Sequence, residues 1–112
     1  MRGWLIGLIS VAATACGAAP PRALLTESEA SLRAAKEVGA SQHPKAALHL
    51  KMAEDQLGEG KRFMDDGDNQ LAAEALERAR ADAELAIEIT RSKTAQAEAA
   101  KATERLKSLR NK

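Results

Sequence analysis

Few side chains in this 112-residue sequence have the types and spacing that chemistry requires. Cys16 is the only cysteine, so it cannot form a disulfide within the chain. A catalytic thiol needs a general base beside it, and neither His43 nor His49 stands in a nucleophile motif. Zinc needs three or four ligands, and no cysteine or further histidine accompanies these two. We therefore expect surface or capping histidines, and we predict no metal site and no cofactor.

An acidic cluster at residues 65–69, Asp-Asp-Gly-Asp-Asn, could suggest a calcium loop. An EF-hand loop needs acids at alternating positions and a bidentate glutamate at its twelfth position, and that pattern is missing. We instead expect Gly67 to end one helix and Asp68 to cap the next. The sequence also has no serine in a nucleophile elbow and no glycine-rich phosphate loop. These observations predict that the protein is not an enzyme.

Composition limits the size of the core. Hydrophobic residues make up 45% of the chain, but many are alanines, and Trp4 and Phe63 are the only aromatic residues. Alanine buries little apolar surface, so we expect thin helix-on-helix packing without an enclosed pocket. Lys and Arg number 17 against 16 Asp and Glu, and no block of like charge stands out. Without a basic stripe or stacking aromatic residues, we predict no nucleic-acid partner.

The N-terminus has the three parts of an export signal. Arg2 precedes an apolar run of about a dozen residues that ends in small residues, as in secretory signals. The run is shorter than the roughly 20 residues that a membrane span needs. We predict a signal peptide over residues 1–15, and its removal would leave 112 − 15 = 97 residues. Residues 16–25, which are rich in Gly, Ala and Pro, are predicted to form a flexible tether.

The four residues Ala13-Thr14-Ala15-Cys16 resemble the lipobox of bacterial lipoproteins, with Ala13 where leucine is usual. The resemblance implies attachment of a diacylglyceryl group to the Cys16 thiol, with palmitate among the acyl chains, and then cleavage between Ala15 and Cys16. Two or more acyl chains anchor a protein stably to a membrane. Gly17 after the cysteine implies the periplasmic face of the outer membrane. The alternative is that Cys16 is an incidental residue of an ordinary cleaved signal.

A helical domain is predicted over residues 26–112. Thr26 and Glu29 have capping-box spacing, so we expect a first helix over 27–38 that stops at Gly39. Pro44 suits the first position of a second helix, which should end near Asp66.

Apolar residues of the second helix are spaced by four and three, as in a heptad seam. They are Ala46, Leu50, Ala53, Leu57, Gly60 and Met64. Gly60 and Gly58 lower helix propensity and could allow a close helix approach or a bend.

The third helix should start at Asn69, because the chain contains no Gly or Pro from there to Lys112. One side of its first half carries Leu76, Ala79, Ala83, Ala86 and Ile89. The register slips near 90–94 and resumes with Ala95, Ala99, Ala102, Leu106 and Leu109. The fold class is therefore all-α: a helical hairpin with a long C-terminal alanine-rich helix and coiled-coil-like packing. Its distal half outruns its partner, and the alanine seam serves either the hairpin or self-association.

Residues 34–86 resemble domain-of-unknown-function family 4398, which comprises small alanine-rich bacterial lipoproteins. The resemblance rests on the Gly67-Asp68 turn, the segment Asp82-Ala83-Glu84-Leu85-Ala86 and alanines between them. It implies no established activity. Some relatives carry a peptidoglycan-binding domain downstream, and since we recognise none in this sequence, we do not expect wall binding to carry over from them. The Gly67-Asp68 turn also resembles half of a tetratricopeptide repeat.

Two functions follow as hypotheses. The first is a membrane-anchored envelope lipoprotein with a structural or spacer role. The chain resembles Braun-type lipoproteins in plan, which implies attachment of Lys112 to peptidoglycan; the alternative for Lys112 is a frayed helix end. The second is a periplasmic adaptor whose half-tetratricopeptide-like hairpin binds an envelope protein. The expected partners are the membrane, through the lipid, and a second copy or an envelope protein.

Overall fold

The computed structural model describes residues 17–112, which form three α-helices. Helix α1 spans Arg22–Glu37, α2 spans Pro44–Asp65 and α3 spans Asn69–Arg110, with a short 3-10 turn at Ala40–Gln42. The predicted all-α class and the hairpin with a long C-terminal helix are confirmed. The predicted signal peptide, Ala15 and Cys16 lie outside the described residues.

Helix α1 begins five residues earlier than predicted. Thr26 lies inside the helix, where its hydroxyl donates to the Arg22 carbonyl at 3.2 Å, so the predicted capping box is wrong. The Pro21 carbonyl already accepts the Leu25 N–H at 3.0 Å. The extra turn is stabilised because Leu24 and Leu25 pack against the core. The prediction of a tether over residues 16–25 is therefore wrong for residues 22–25, which are helical.

The three predicted helix boundaries at Gly39, Pro44 and Gly67 are confirmed. Gly39 and Gly67 have φ values of 85° and 80°, a left-handed conformation that glycine adopts without steric cost. After α2, the Gly67 N–H donates to Met64 at 3.1 Å and the Asp68 N–H to Phe63 at 2.8 Å. These paired bonds form a Schellman motif, which satisfies the last carbonyls of the helix.

Asp68 precedes α3 as predicted, but its carboxylate makes no capping hydrogen bond. The Asp68 carbonyl accepts the Ala72 N–H at 2.9 Å, so α3 starts on backbone bonds. The expected role of the Asp68 side chain as a cap is therefore wrong.

Polar contacts fix the direction of each helix. The α1–α2 ion pairs are Glu29–Lys61 and Lys36–Glu54, so α2 runs antiparallel to α1. Ser28 contacts Leu76, while Ala35, seven residues later, belongs to the same core cluster as Ala83 and Ala86. Helix α1 therefore runs parallel to α3, and both run antiparallel to α2.

The core lies where the three helices meet, and it consists mostly of alanine. The predicted α2 seam is confirmed, since five of its residues are buried and Met64 is half-buried. In α3, Leu76, Ala79, Ala83 and Ala86 are buried as predicted, Ile89 is half-buried, and Thr90 is the last buried residue. Because alanine side chains are small, the helix axes lie close together. The alanine seam of residues 46–90 therefore packs within the intramolecular bundle.

Candidate functional site

The N-terminal segment that follows Cys16 lies against the α2–α3 turn. Residues 17–21 have no regular structure, and the Asn69 side-chain amide donates to the Ala18 carbonyl at 2.8 Å. Because α1 runs parallel to α3, the chain enters the bundle at the end where α3 begins. Residues 17–21, the first that the structure describes, therefore adjoin the start of α3, and Lys112 lies at the far end of that helix.

Gly60 allows α2 and α3 to approach closely. A Cβ atom at Gly60 would lie 2.7 Å from Cδ2 and 2.8 Å from Cγ of Leu76, which is fully buried. A Cβ at Gly58 would meet nothing within 4 Å. Of the two interpretations offered by the sequence, close approach therefore holds at Gly60, and Gly58 makes no such contact.

Ser28 joins α1 to α3 inside the bundle. The residue is 1% exposed, and its hydroxyl lies 2.8 Å from the Leu76 carbonyl and 2.7 Å from the Leu24 carbonyl. The hydroxyl carries one hydrogen, so the two carbonyls share a single donor. Sequence analysis missed this residue because a lone serine in a helix gives no periodic signal.

The two histidines occupy different positions. His49 Nδ1 lies 2.9 Å from an Asp82 carboxylate oxygen, and this pair joins α2 to α3 at the edge of the core. His43 precedes α2 with an extended backbone, as the residue before a proline should. Within residues 17–112, no three His, Cys, Asp or Glu side chains are grouped closely enough to hold a metal ion. The His49–Asp82 pair therefore links two helices, a role that its spacing in the sequence did not reveal.

Lys51, on the outer face of α2, has a shifted pKa. The hydrogen bond from Lys51 to Asp55, with the charge of that carboxylate, raises the pKa of Lys51 above its ordinary value. A lysine held protonated in this way is a poor nucleophile.

The distal part of α3 projects from the opposite end of the bundle. Every residue from 91 to 112 is exposed, and residues 91–110 form about 30 Å of helix at 1.5 Å per residue. Leu106 and Leu109 are 68% and 62% exposed, the highest values among the exposed large hydrophobic residues. We call residues 91–112 the arm. The prediction that the distal half of α3 outruns its partner is confirmed.

The bundle and the arm carry opposite charge. Residues 17–90 contain 9 Lys and Arg against 14 Asp and Glu, a formal charge of −5. The arm contains 7 Lys and Arg against 2 Glu, a formal charge of +5. The near-zero charge of the whole chain conceals this division, which becomes visible only when the bundle is seen to end at Thr90.

A family model, "Domain of unknown function (DUF4398)", matches residues 23–102. The chain belongs to this family. The match extends beyond the predicted 34–86 at both ends, to α1 and much of the arm. Comparisons with curated proteins and with solved structures give no match. None of the described helices is long and apolar enough to cross a membrane.

Proposed function

We propose that this DUF4398 protein is a lipid-anchored structural protein of the bacterial envelope, with a spacer role and no catalytic activity. The proposal combines the predicted signal over residues 1–15 and the lipid on Cys16 with the geometry of the folded part. The observation that carries it is that residues 17–21 lie beside the start of α3 while Lys112 follows its far end. A lipid on Cys16 would attach at the bundle end, on the periplasmic face of the outer membrane, and the arm would lead away from it.

The folded part has the properties that a spacer needs. Helix α3 has 42 residues without Gly or Pro, a length of about 63 Å at 1.5 Å per residue. Its first half is clamped by α1 and α2, and the hydrogen bond between Asn69 and Ala18 holds the entering chain at its base. An attachment point near Cys16 is therefore coupled to a long rigid element through only a few residues without regular structure.

The interior also supports a structural role. The buried residues of the bundle are alanine, leucine, Gly60 and two hydroxyl residues, Ser28 and Thr90. Both hydroxyls donate to backbone carbonyls, Ser28 between helices and Thr90 within α3. These hydroxyls hold the helices in position. General acid–base chemistry would instead need a base that faces a substrate.

The intact mass of the protein from lysozyme-digested envelopes tests the anchor. We expect a chain that starts at residue 16 and carries acyl groups, and we expect a Cys16→Ser variant to lose both. A muropeptide mass on Lys112 would add covalent wall attachment to the spacer role. An unacylated chain cleaved elsewhere would overturn the proposal.

A further inference from the structure

The outer face of α3 carries a second heptad pattern, on the side away from the bundle. Its first half includes Ala81 and Leu85, and its second half includes Ala95, Ala99, Ala102, Leu106 and Leu109. Leu85 is 43% exposed although it belongs to the clamped half of the helix. From the structure we infer that this face binds the same face of a second copy in an antiparallel dimer centred between Lys93 and Thr94.

Side-chain sizes are complementary in this arrangement. In an antiparallel pair centred at that point, Leu106 of one chain packs on Ala81 of the other, and Leu85 packs on Ala102. Leu85 and Leu106 thus each meet an alanine, as close packing of two helices requires. In the same register Leu109 meets the aliphatic stem of Arg78, and Ala99 meets that of Glu88. Ser92 faces Ala95 near the centre of the pair.

Charges beside the seam are complementary in the same register. Glu77 faces Lys112 of the second copy, Glu84 faces Arg105, and Arg91 faces Glu98. By symmetry each pair occurs twice, which gives six contacts between opposite charges. At a larger scale, each arm of charge +5 lies along a bundle of charge −5. The projecting arms also keep the bundles apart, so the two do not overlap.

Neighbouring registers lose this match. Shifting one heptad toward the arm tips places Arg91 against Arg105 and Glu98 against its own copy. Shifting one heptad the other way places Glu84 against Glu98 and Arg91 against its own copy. A parallel pair would place Arg105 against Arg110 and Glu77 against Asp82. Like charges at such positions disfavour a pairing, so the sequence selects one register and one orientation.

The dimer places the two bundle ends at which α3 begins far apart. Each Asn69 lies about 37 Å from the centre, so the two bundle ends are separated by about 75 Å. With both proposed anchors in the outer membrane, the dimer would lie along that membrane, whereas the arm of a monomer would lead away from it. The pairing uses residues 77–112 only and does not depend on the lipid, so it can hold where the anchor fails.

Reciprocal charge reversal tests the pairing. We would extract the full chain in mild detergent and measure the mass of its protein component by light scattering over a range of concentrations. We expect a monomer–dimer equilibrium, weakened about tenfold by Glu84→Arg or Arg105→Glu, since each reversal creates two like-charge contacts. An equimolar mixture of the two variants should dimerise again, because every contact in the mixed pair is attractive.

The controls carry the same charge changes away from the face. Glu37→Arg and Lys101→Glu change the overall charge equally but break no pair beside the seam, so they should weaken the dimer much less than the reversals do. A carbodiimide, which joins a carboxylate to an amine in contact, should link Glu77 to Lys112. These residues are about 52 Å apart along one helix, so the link must join two chains.

Three results would overturn the inference. They are a monomer at every concentration, a dimer that the reversals do not affect, and a cross-link from Lys112 to a different protein in whole envelopes. The last result would favour the adaptor hypothesis for the arm. The Cys16→Ser chain separates the two proposals, since its dimer should persist without acyl groups.

Discussion

The two halves of α3 have similar alanine-rich sequences and opposite environments. Residues 69–90 present Leu76 and its flanking alanines to α1 and α2, and those side chains are buried. Residues 91–110 carry an apolar pattern of the same period, but every residue there is exposed. The period of a helix therefore reports that a face is apolar, while burial depends on whether another element lies beside it.

The largest effect on stability is expected from truncating a buried leucine in the first half of α3, with an exposed leucine in the second half as its control. Leu76→Ala should lower the free energy of unfolding by about 2–4 kcal/mol, because it leaves a cavity where α1, α2 and α3 meet. Leu106→Ala should leave that free energy unchanged at low protein concentration. Urea denaturation followed by circular dichroism measures both. Equal losses in the two variants would show that the arm is packed within the monomer.

A smaller effect is expected from alanine at the two α2 glycines. Gly60→Ala should destabilise the bundle by about 1–3 kcal/mol, because its Cβ would overlap the buried Leu76 side chain. Gly58→Ala should stabilise by about 0.5–1 kcal/mol, since alanine favours the helix and has space there. Thermal melts of the two variants should therefore shift in opposite directions. A shift in the same direction would contradict the close approach at Gly60.

Removing one hydroxyl from the bundle and one from the arm gives a further comparison of the stability of these two regions. Ser28→Ala should cost about 1 kcal/mol, because the buried bond to the Leu76 carbonyl is lost. Thr103→Ala removes a hydroxyl that donates to Ala99 at 3.0 Å in the exposed arm. It should raise stability slightly or leave it unchanged, since alanine is the better helix former. Chemical denaturation of both variants measures the difference, which would vanish if Ser28 were open to water.

The smallest expected effect concerns an ion pair on the surface of the bundle. The Arg80 guanidinium lies 2.7 Å from the Glu27 carboxylate, and about half of each side chain is exposed. Glu27→Gln should therefore change the free energy of unfolding by less than about 0.5 kcal/mol. Added salt should change the melting temperature of this variant no more than it changes that of the parent chain. A loss comparable to that of Leu76→Ala would mean that ion pairs, rather than the alanine seam, hold α1 to α3.

Much of the fold could be predicted from sequence because its signals are local. Gly39, Pro44 and Gly67 end or begin helices through backbone geometry that each residue imposes by itself. The seam of α2 also follows from spacing alone. The start of α1 was predicted too late because Thr26 and Glu29 fit a capping box, whereas packing of Leu24 and Leu25 decides the boundary.

Tertiary structure decided what the helices do with their faces. The contacts of Ser28 with Leu76 and of His49 with Asp82 join residues 48 and 33 positions apart, and no local pattern predicts such pairs. The end of the bundle at Thr90 likewise depends on the lengths of α1 and α2, because α1 ends and α2 begins near that residue. Sequence determined the helices and their apolar stripes because these depend on neighbours along the chain. Which stripe is covered, and where the charge divides, depends on which helices lie side by side.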